Sequence, residues 1–174
     1  MIPNTSLNNH INSFFQKWNE YNFFVEYKDQ IFYNLASAQL FDFDYKNAIK
    51  NYNKSIKYDH KDEYAYLYRG NGKFKLEDYE EASKDYGKSL EINNRSYIAF
   101  NNRGVSFFKL KNYKMALENF EKSLKINPRN YSTLYNKSLT HFELNQIKKA
   151  CIDLKKSIKL GKEVFKDEYS EICF

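Results

Sequence analysis

The sequence repeats itself every 34 residues, and a chain that does so has few folds open to it. Starting at Gly70, steps of 34 land on Ala36, Gly104 and Ser138, all small. A second column holds alanine throughout, at Ala48, Ala82, Ala116 and Ala150. A third holds Tyr52, Tyr86, Phe120 and Leu154, and a fourth holds Ser55, Ser89, Ser123 and Ser157. Four units follow without insertion or deletion, over 29–62, 63–96, 97–130 and 131–164. A period in this range marks an array of supersecondary units that bury their apolar faces only against one another.

Within each unit the apolar spacing is helical. In the third, Phe100, Phe107, Leu110, Ala116, Leu117, Phe120 and Leu124 recur at steps of three, four and seven. The stretch "KNY" at 111–113 separates two such stripes. "NPRN" at 127–130 ends the second, with Pro128 placed beyond the last turn. Each unit therefore reads as helix, short turn, helix. Small residues facing each other let the two backbones approach, and the aromatic column fills the space between units. "YRGNGKF" at 68–74 has the glycines and lysine of a phosphate loop, but it lies inside a helical stripe with no strand before it. Gly70 belongs to the small column. Gly72 does not, since its column holds Ala38, Ser106 and Thr140, and a helix-interior glycine costs about 1 kcal/mol against alanine.

The length of the unit and its order of aromatic, small residue, alanine, aromatic and proline resemble the tetratricopeptide repeat. Phe100, Gly104, Phe107, Ala116, Phe120 and Pro128 carry the resemblance best. It implies an all-α fold, a right-handed α-solenoid of four helix-turn-helix repeats spanning 29–164. Gln39, Lys73 and His141 stand where Phe107 stands, and serine replaces alanine in the fourth column; both departures are expected to weaken packing. The ends need covers. Ile11, Phe14, Phe15, Trp18 and Val25 share a helical face, so residues 1–28 read as an N-terminal cap with its helix over 7–26. Residues 165–174 read as a C-terminal capping helix, with Cys173 a buried thiol on its apolar side.

No catalytic or metal-binding constellation is legible. His10, His60 and His141 occupy unrelated positions, and no His-x-x-x-His or Cys-x-x-Cys pair exists. His141 reads as an inter-helix packing residue. An enzyme, a metal and a cofactor are not expected. Cys151 and Cys173 suggest no disulfide framework, the N-terminus does not resemble a secretory signal, and no apolar run is long enough to span a bilayer. A reducing, cytoplasmic setting is the default expectation. Arg69, Arg103 and Lys137 share a column, and Asp85 and Asp153 follow Arg69 and Lys137 by 16 residues, a spacing that predicts charged pairs between the helices of one unit.

The resemblance further implies that the first helices line a concave groove that takes peptides or protein segments. Carried over residue by residue, the groove includes Tyr33, Asn34, Tyr68, Asn71, Asn102, Val105, Tyr135 and Asn136. Asparagine offers a donor and an acceptor to an extended backbone, and tyrosine supplies contact area at little entropic cost. Members that dock chaperones grip a terminal carboxylate with lysine and arginine. Here Leu67, Ser132 and Asn136 stand in those places, so no tight binding of acidic chaperone tails is expected. The formal charge of +6 raises an alternative, a nucleic-acid-associated protein. Lys54, Lys88, Lys122 and Lys156 would form its strip on the second helices. A third reading is a structural subunit held by its ends. The reading favoured here is a non-catalytic adaptor.

Overall fold

A computed structural model of the chain describes residues 26–161, together with Lys17, Glu20, Ile172 and Cys173. Among the described residues there are eight long helices and no strand. They are α1 (Lys28–Phe41), α2 (Tyr45–Tyr58), α3 (Glu63–Lys75), α4 (Tyr79–Ile92), α5 (Tyr97–Lys109), α6 (Tyr113–Ile126), α7 (Tyr131–Glu143) and α8 (Ile147–Lys159). The chain divides into two compact units, Met1–His60 and Lys61–Phe174. The first contains the pair α1–α2. The second contains three pairs in which each helix packs on the next, with α3, α5 and α7 also touching in sequence. The proposed N-terminal cap lies outside the described residues, as does the C-terminal one save for Ile172 and Cys173, both helical.

The helix ends are written in the sequence. Asp62, Ser96 and Asn130 cap α3, α5 and α7, and Asp44, Asp78 and Asn112 cap α2, α4 and α6, each accepting a hydrogen bond from a first-turn amide. The turn inside each repeat is closed the same way four times. The amides of Asp44, Asp78, Asn112 and Gln146 donate back to the carbonyls of Gln39, Lys73, Phe107 and His141, at 2.8–3.0 Å. The preceding residue, Phe43, Glu77, Lys111 or Asn145, takes a left-handed conformation with φ between 55° and 63°. This is the Schellman closure, which satisfies carbonyls that the helix leaves orphaned.

The small-residue column works by close approach. A Cβ built on Gly70 would lie 2.8 Å from Tyr86 Cε1, and one on Gly104 would lie 2.6 Å from Phe120 Cε1. The rings of Tyr52, Tyr86 and Phe120 are fully buried over this column. The serine column does not merely weaken the fold, as its sequence suggested. In the third and fourth repeats Ser123 Oγ and Ser157 Oγ donate to the carbonyls of Tyr97 and Tyr131 at 2.8 and 2.7 Å, tying the end of the second helix to the start of the first, whereas Ser55 Oγ and Ser89 Oγ are buried without a partner among the described residues.

Candidate functional site

Three features of the fold carry polar or covalent chemistry, and the charged columns are the first. Asp85 on α4 is 3% exposed. It accepts from Arg69 Nε at 2.8 Å and Arg69 Nη2 at 2.6 Å, and pairs with Lys73 Nζ at 2.9 Å. The fourth repeat builds the same cluster from Lys137, 3.2 Å from Asp153, and His141, whose Nε2 lies 3.6 Å from the same carboxylate. Lys73 and His141 are thus neighbours of a buried acid, and the expectation that they only weaken packing is corrected. Where the acid is replaced by an amide, the residue facing it is neutral. Asn51 donates to Gln39 Oε1 at 2.8 Å, and Asn119 shares its repeat with Phe107. There Arg103 stacks over Phe107 with its guanidinium 5.6 Å from the ring centre. Burial, the largest effect, pulls the His141 imidazole below its ordinary value of 6.5, against the attraction of Asp153. His141 Nδ1 also meets Gln146 Oε1 at 3.0 Å.

The second feature is covalent. Cys151 and Cys173 form a disulfide, with their Cα atoms 5.3 Å apart. Reading the two cysteines as unpaired is therefore wrong, and the reducing setting inferred from it loses its basis. Two cysteines in one chain carry no pairing signal until the fold brings them together. Cys173 is buried as expected, but as half of a bond, in a cluster with Phe142, Ala150 and Leu154 against which Tyr135 and Ile158 pack.

The third feature is the face made by α3, α5 and α7. The asparagines placed there form one chain of amides. Asn136 Nδ2 donates to Asn101 Oδ1 at 3.0 Å, Asn101 Nδ2 to Asn102 Oδ1 at 3.1 Å, and Asn102 Nδ2 to Asn71 Oδ1 at 3.1 Å. Tyr86, whose hydroxyl burial holds neutral, donates to Asn71 Oδ1 at 2.9 Å. Thr133 Oγ1 donates to Asn101 Oδ1 at 3.1 Å. Asn102 is consumed by its neighbours, whereas Asn71 Nδ2 and Asn136 Oδ1 have no partner among the described residues. Beside Asn136 lies a cavity of about 150 Å³ lined by Val105, Phe108, Lys109, Phe120 and Leu139. Of the eight candidate residues, the fold joins Asn71, Asn102, Val105 and Asn136 here. Tyr68 stacks on Tyr64 with centroids 6.5 Å apart, and Tyr135 leans on the disulfide cluster. Tyr33 and Asn34 belong to the first unit, where Tyr33 meets the Tyr52 ring edge-on and Asn34 accepts from Gln30. Phe108 and Phe120 in the cavity wall lay outside the candidate residues. Phe120 was legible only as a packing residue.

Sequence profiles of the tetratricopeptide repeat match residues 29–62, 64–96, 97–130 and 131–161. The chain belongs to the tetratricopeptide-repeat family. The repeats of this family are in general protein-interaction modules. No curated protein sequence matches the chain. Solved structures with the same fold include a MamA protein at 18% identity and TM-score 0.74, covering 78% of this chain and 74% of that one. MamA 41-end from Desulfovibrio magneticus RS-1 has 21% identity and TM-score 0.73, over 77% and 76%. The first such domain of Spaghetti (RPAP3), bound to the HSP90 peptide SRMEEVD, has 20% identity and TM-score 0.66, over 68% and 94%. At these identities the likeness concerns the fold alone. Among the described residues no helix is long and apolar enough to cross a membrane, and no cluster of metal-ligating side chains occurs.

Proposed function

We propose that the second unit captures an extended segment of a protein partner across α3, α5 and α7, without catalysis. The observation that carries this reading is the cavity between α5 and α7 beside an amide chain with unspent capacity at both ends. An apolar side chain of the segment fills the cavity against Val105, Phe108 and Leu139. Its backbone carbonyl accepts from Asn71 Nδ2 and its amide donates to Asn136 Oδ1. Asn101 and Asn102 hold the two outer amides at fixed angles, which lowers the entropic cost of capture. Among the described residues this face offers no ring of cations for a terminal carboxylate, since Leu67 is buried and apolar and Asn136 presents a neutral amide.

The competing nucleic-acid reading draws on the lysine column. Three of those four lysines have work within the fold. Lys54 Nζ sits 4.9 Å from the centre of the Phe32 ring, Lys122 Nζ 5.9 Å from that of Phe100, and Lys88 pairs with Glu91 at 2.8 Å. The test is a library of random nine-residue peptides displayed on phage and panned on the purified protein. Selected peptides are expected to carry a bulky apolar residue and to lose at least tenfold in affinity on Leu139→Arg, which fills the cavity with a charge. Binding indifferent to Leu139→Arg refutes the site. Steeply salt-dependent binding of generic RNA would favour the alternative.

A further inference from the structure

The turn between α1 and α2 reads "FDFDY", and its two phenylalanines have no structural task that their counterparts share. In the column of Phe41 the other repeats hold Lys75, Lys109 and Glu143. In the column of Phe43 they hold Glu77, Lys111 and Asn145. All six are charged or polar, at the last residue of the helix or in the turn that follows it. Phe41 is 83% exposed and Phe43 75% exposed, beyond every other large hydrophobic side chain described. Phe43 also sits at φ 62°, in the left-handed region that asparagine tolerates and an aromatic residue rarely adopts. Stability thus argues against phenylalanine here twice, through hydration and through backbone conformation. Two such exposed rings, where the sister repeats place polar residues, mark a surface suited to contact.

The surroundings indicate what they contact. Asp42 lies between the two rings, exposed, with no ion pair or hydrogen bond of its side chain among the described residues. Asp44 follows, with both carboxylate oxygens turned to Asn47 as the cap of α2. The Tyr45 and Phe43 rings form a T-shaped pair with centroids 6.3 Å apart, and Phe43 remains largely exposed. Three aromatic rings beside a free carboxylate, in a chain of net charge +6, form an acidic aromatic knob. A cation gains there twice, from the ring faces and from Asp42. Anionic lipid headgroups would be repelled by the same carboxylates. We infer that the α1–α2 turn is a second docking point, which receives a protein segment bearing an arginine or lysine beside an apolar side chain. It rests on residues of the first unit alone and does not depend on the function proposed for the α3–α5–α7 face.

The variant Phe41→Lys/Phe43→Asn places in this turn the residues its sister turns already use. It is expected to melt at the same temperature as the parent or higher. Random nine-residue peptides on phage, panned on the intact protein, should then yield a class enriched in Arg or Lys next to an apolar residue. That class should lose at least tenfold in affinity on the double variant while being unaffected by Leu139→Arg. A variant that melts several degrees lower would overturn the inference, because the rings would then be packing residues. So would the absence of any knob-dependent class, or a class without basic residues. Binding to vesicles of phosphatidylserine and phosphatidylcholine that the variant abolishes would replace the protein segment with a membrane. Self-association lost in the variant, measured by sedimentation, would replace it with a second copy of this chain.

Discussion

Changing Asp85 to Asn removes one negative charge from a place that water barely reaches. Arg69 and Lys73, each with its side chain 16% exposed, are left as two cations facing an amide. Separating a buried pair costs about 3–5 kcal/mol. The partial exposure of both cations, and the 3.6 Å contact between Lys73 and Glu81, set the expectation at the lower end, about 3 kcal/mol. The third repeat, with Arg103, Phe107 and Asn119 in the three columns, indicates the remedy. Lys73→Phe added to Asp85→Asn recreates that combination, removes one of the stranded cations and restores apolar contact. The double variant is expected to recover about 2 kcal/mol of the loss, a coupling large enough for a double-mutant cycle to resolve. Urea unfolding followed by circular dichroism at 222 nm gives the four free energies. The reasoning fails if Asp85→Asn lies within about 0.5 kcal/mol of the parent, the range of an ordinary surface change. It also fails if the two substitutions add without coupling.

Other outcomes follow from single contacts. Because burial lowers the His141 pKa below 6.5, the unfolded chain binds more protons than the folded one in the acidic range, and stability falls as the pH drops below that value. His141→Phe, matching Phe107, should abolish that part of the acid loss; an unchanged pH–stability profile would count against it. Reducing the disulfide, or Cys173→Ser, opens a loop of 22 residues and should cost about 3 kcal/mol, seen as a lower melting temperature that dithiothreitol no longer affects in the variant. Gly104→Ala drives a methyl into Phe120 and should destabilise by about 1–3 kcal/mol. Gly72→Ala, in a column where Ser106 and Thr140 are accommodated while buried, should instead raise stability by up to about 1 kcal/mol. Thermal melts of the two glycine variants, run together, test whether the small-residue column is a matter of space rather than propensity.

The period of 34 made the helices and the close-packed column readable from the sequence, because each depends on residues near in sequence or on a strict repeat; the caps are just as local. Asp44, Asp62, Asp78, Ser96, Asn112 and Asn130 cap helices through bonds spanning two or three residues. The ion pair of Arg69 and Asp85 was legible for the same reason, since 16 residues is a fixed distance inside one repeat. Other features depend on where side chains end up after packing. Asn101 became a hub only because neighbouring first helices bring Asn102, Thr133 and Asn136 within reach of its amide. Phe120 turned out to serve a cavity wall as well as the core. Gln39, Lys73 and His141 looked like defects in an aromatic column until the second helix set a partner opposite each. Cys151 and Cys173 are the clearest case. The sequence alone determined that this chain is an array of helix pairs, because local spacing and capping chemistry repeat along it. The tertiary structure alone decided which polar groups meet and that its two thiols are joined, because those distances exist only once the helices have packed.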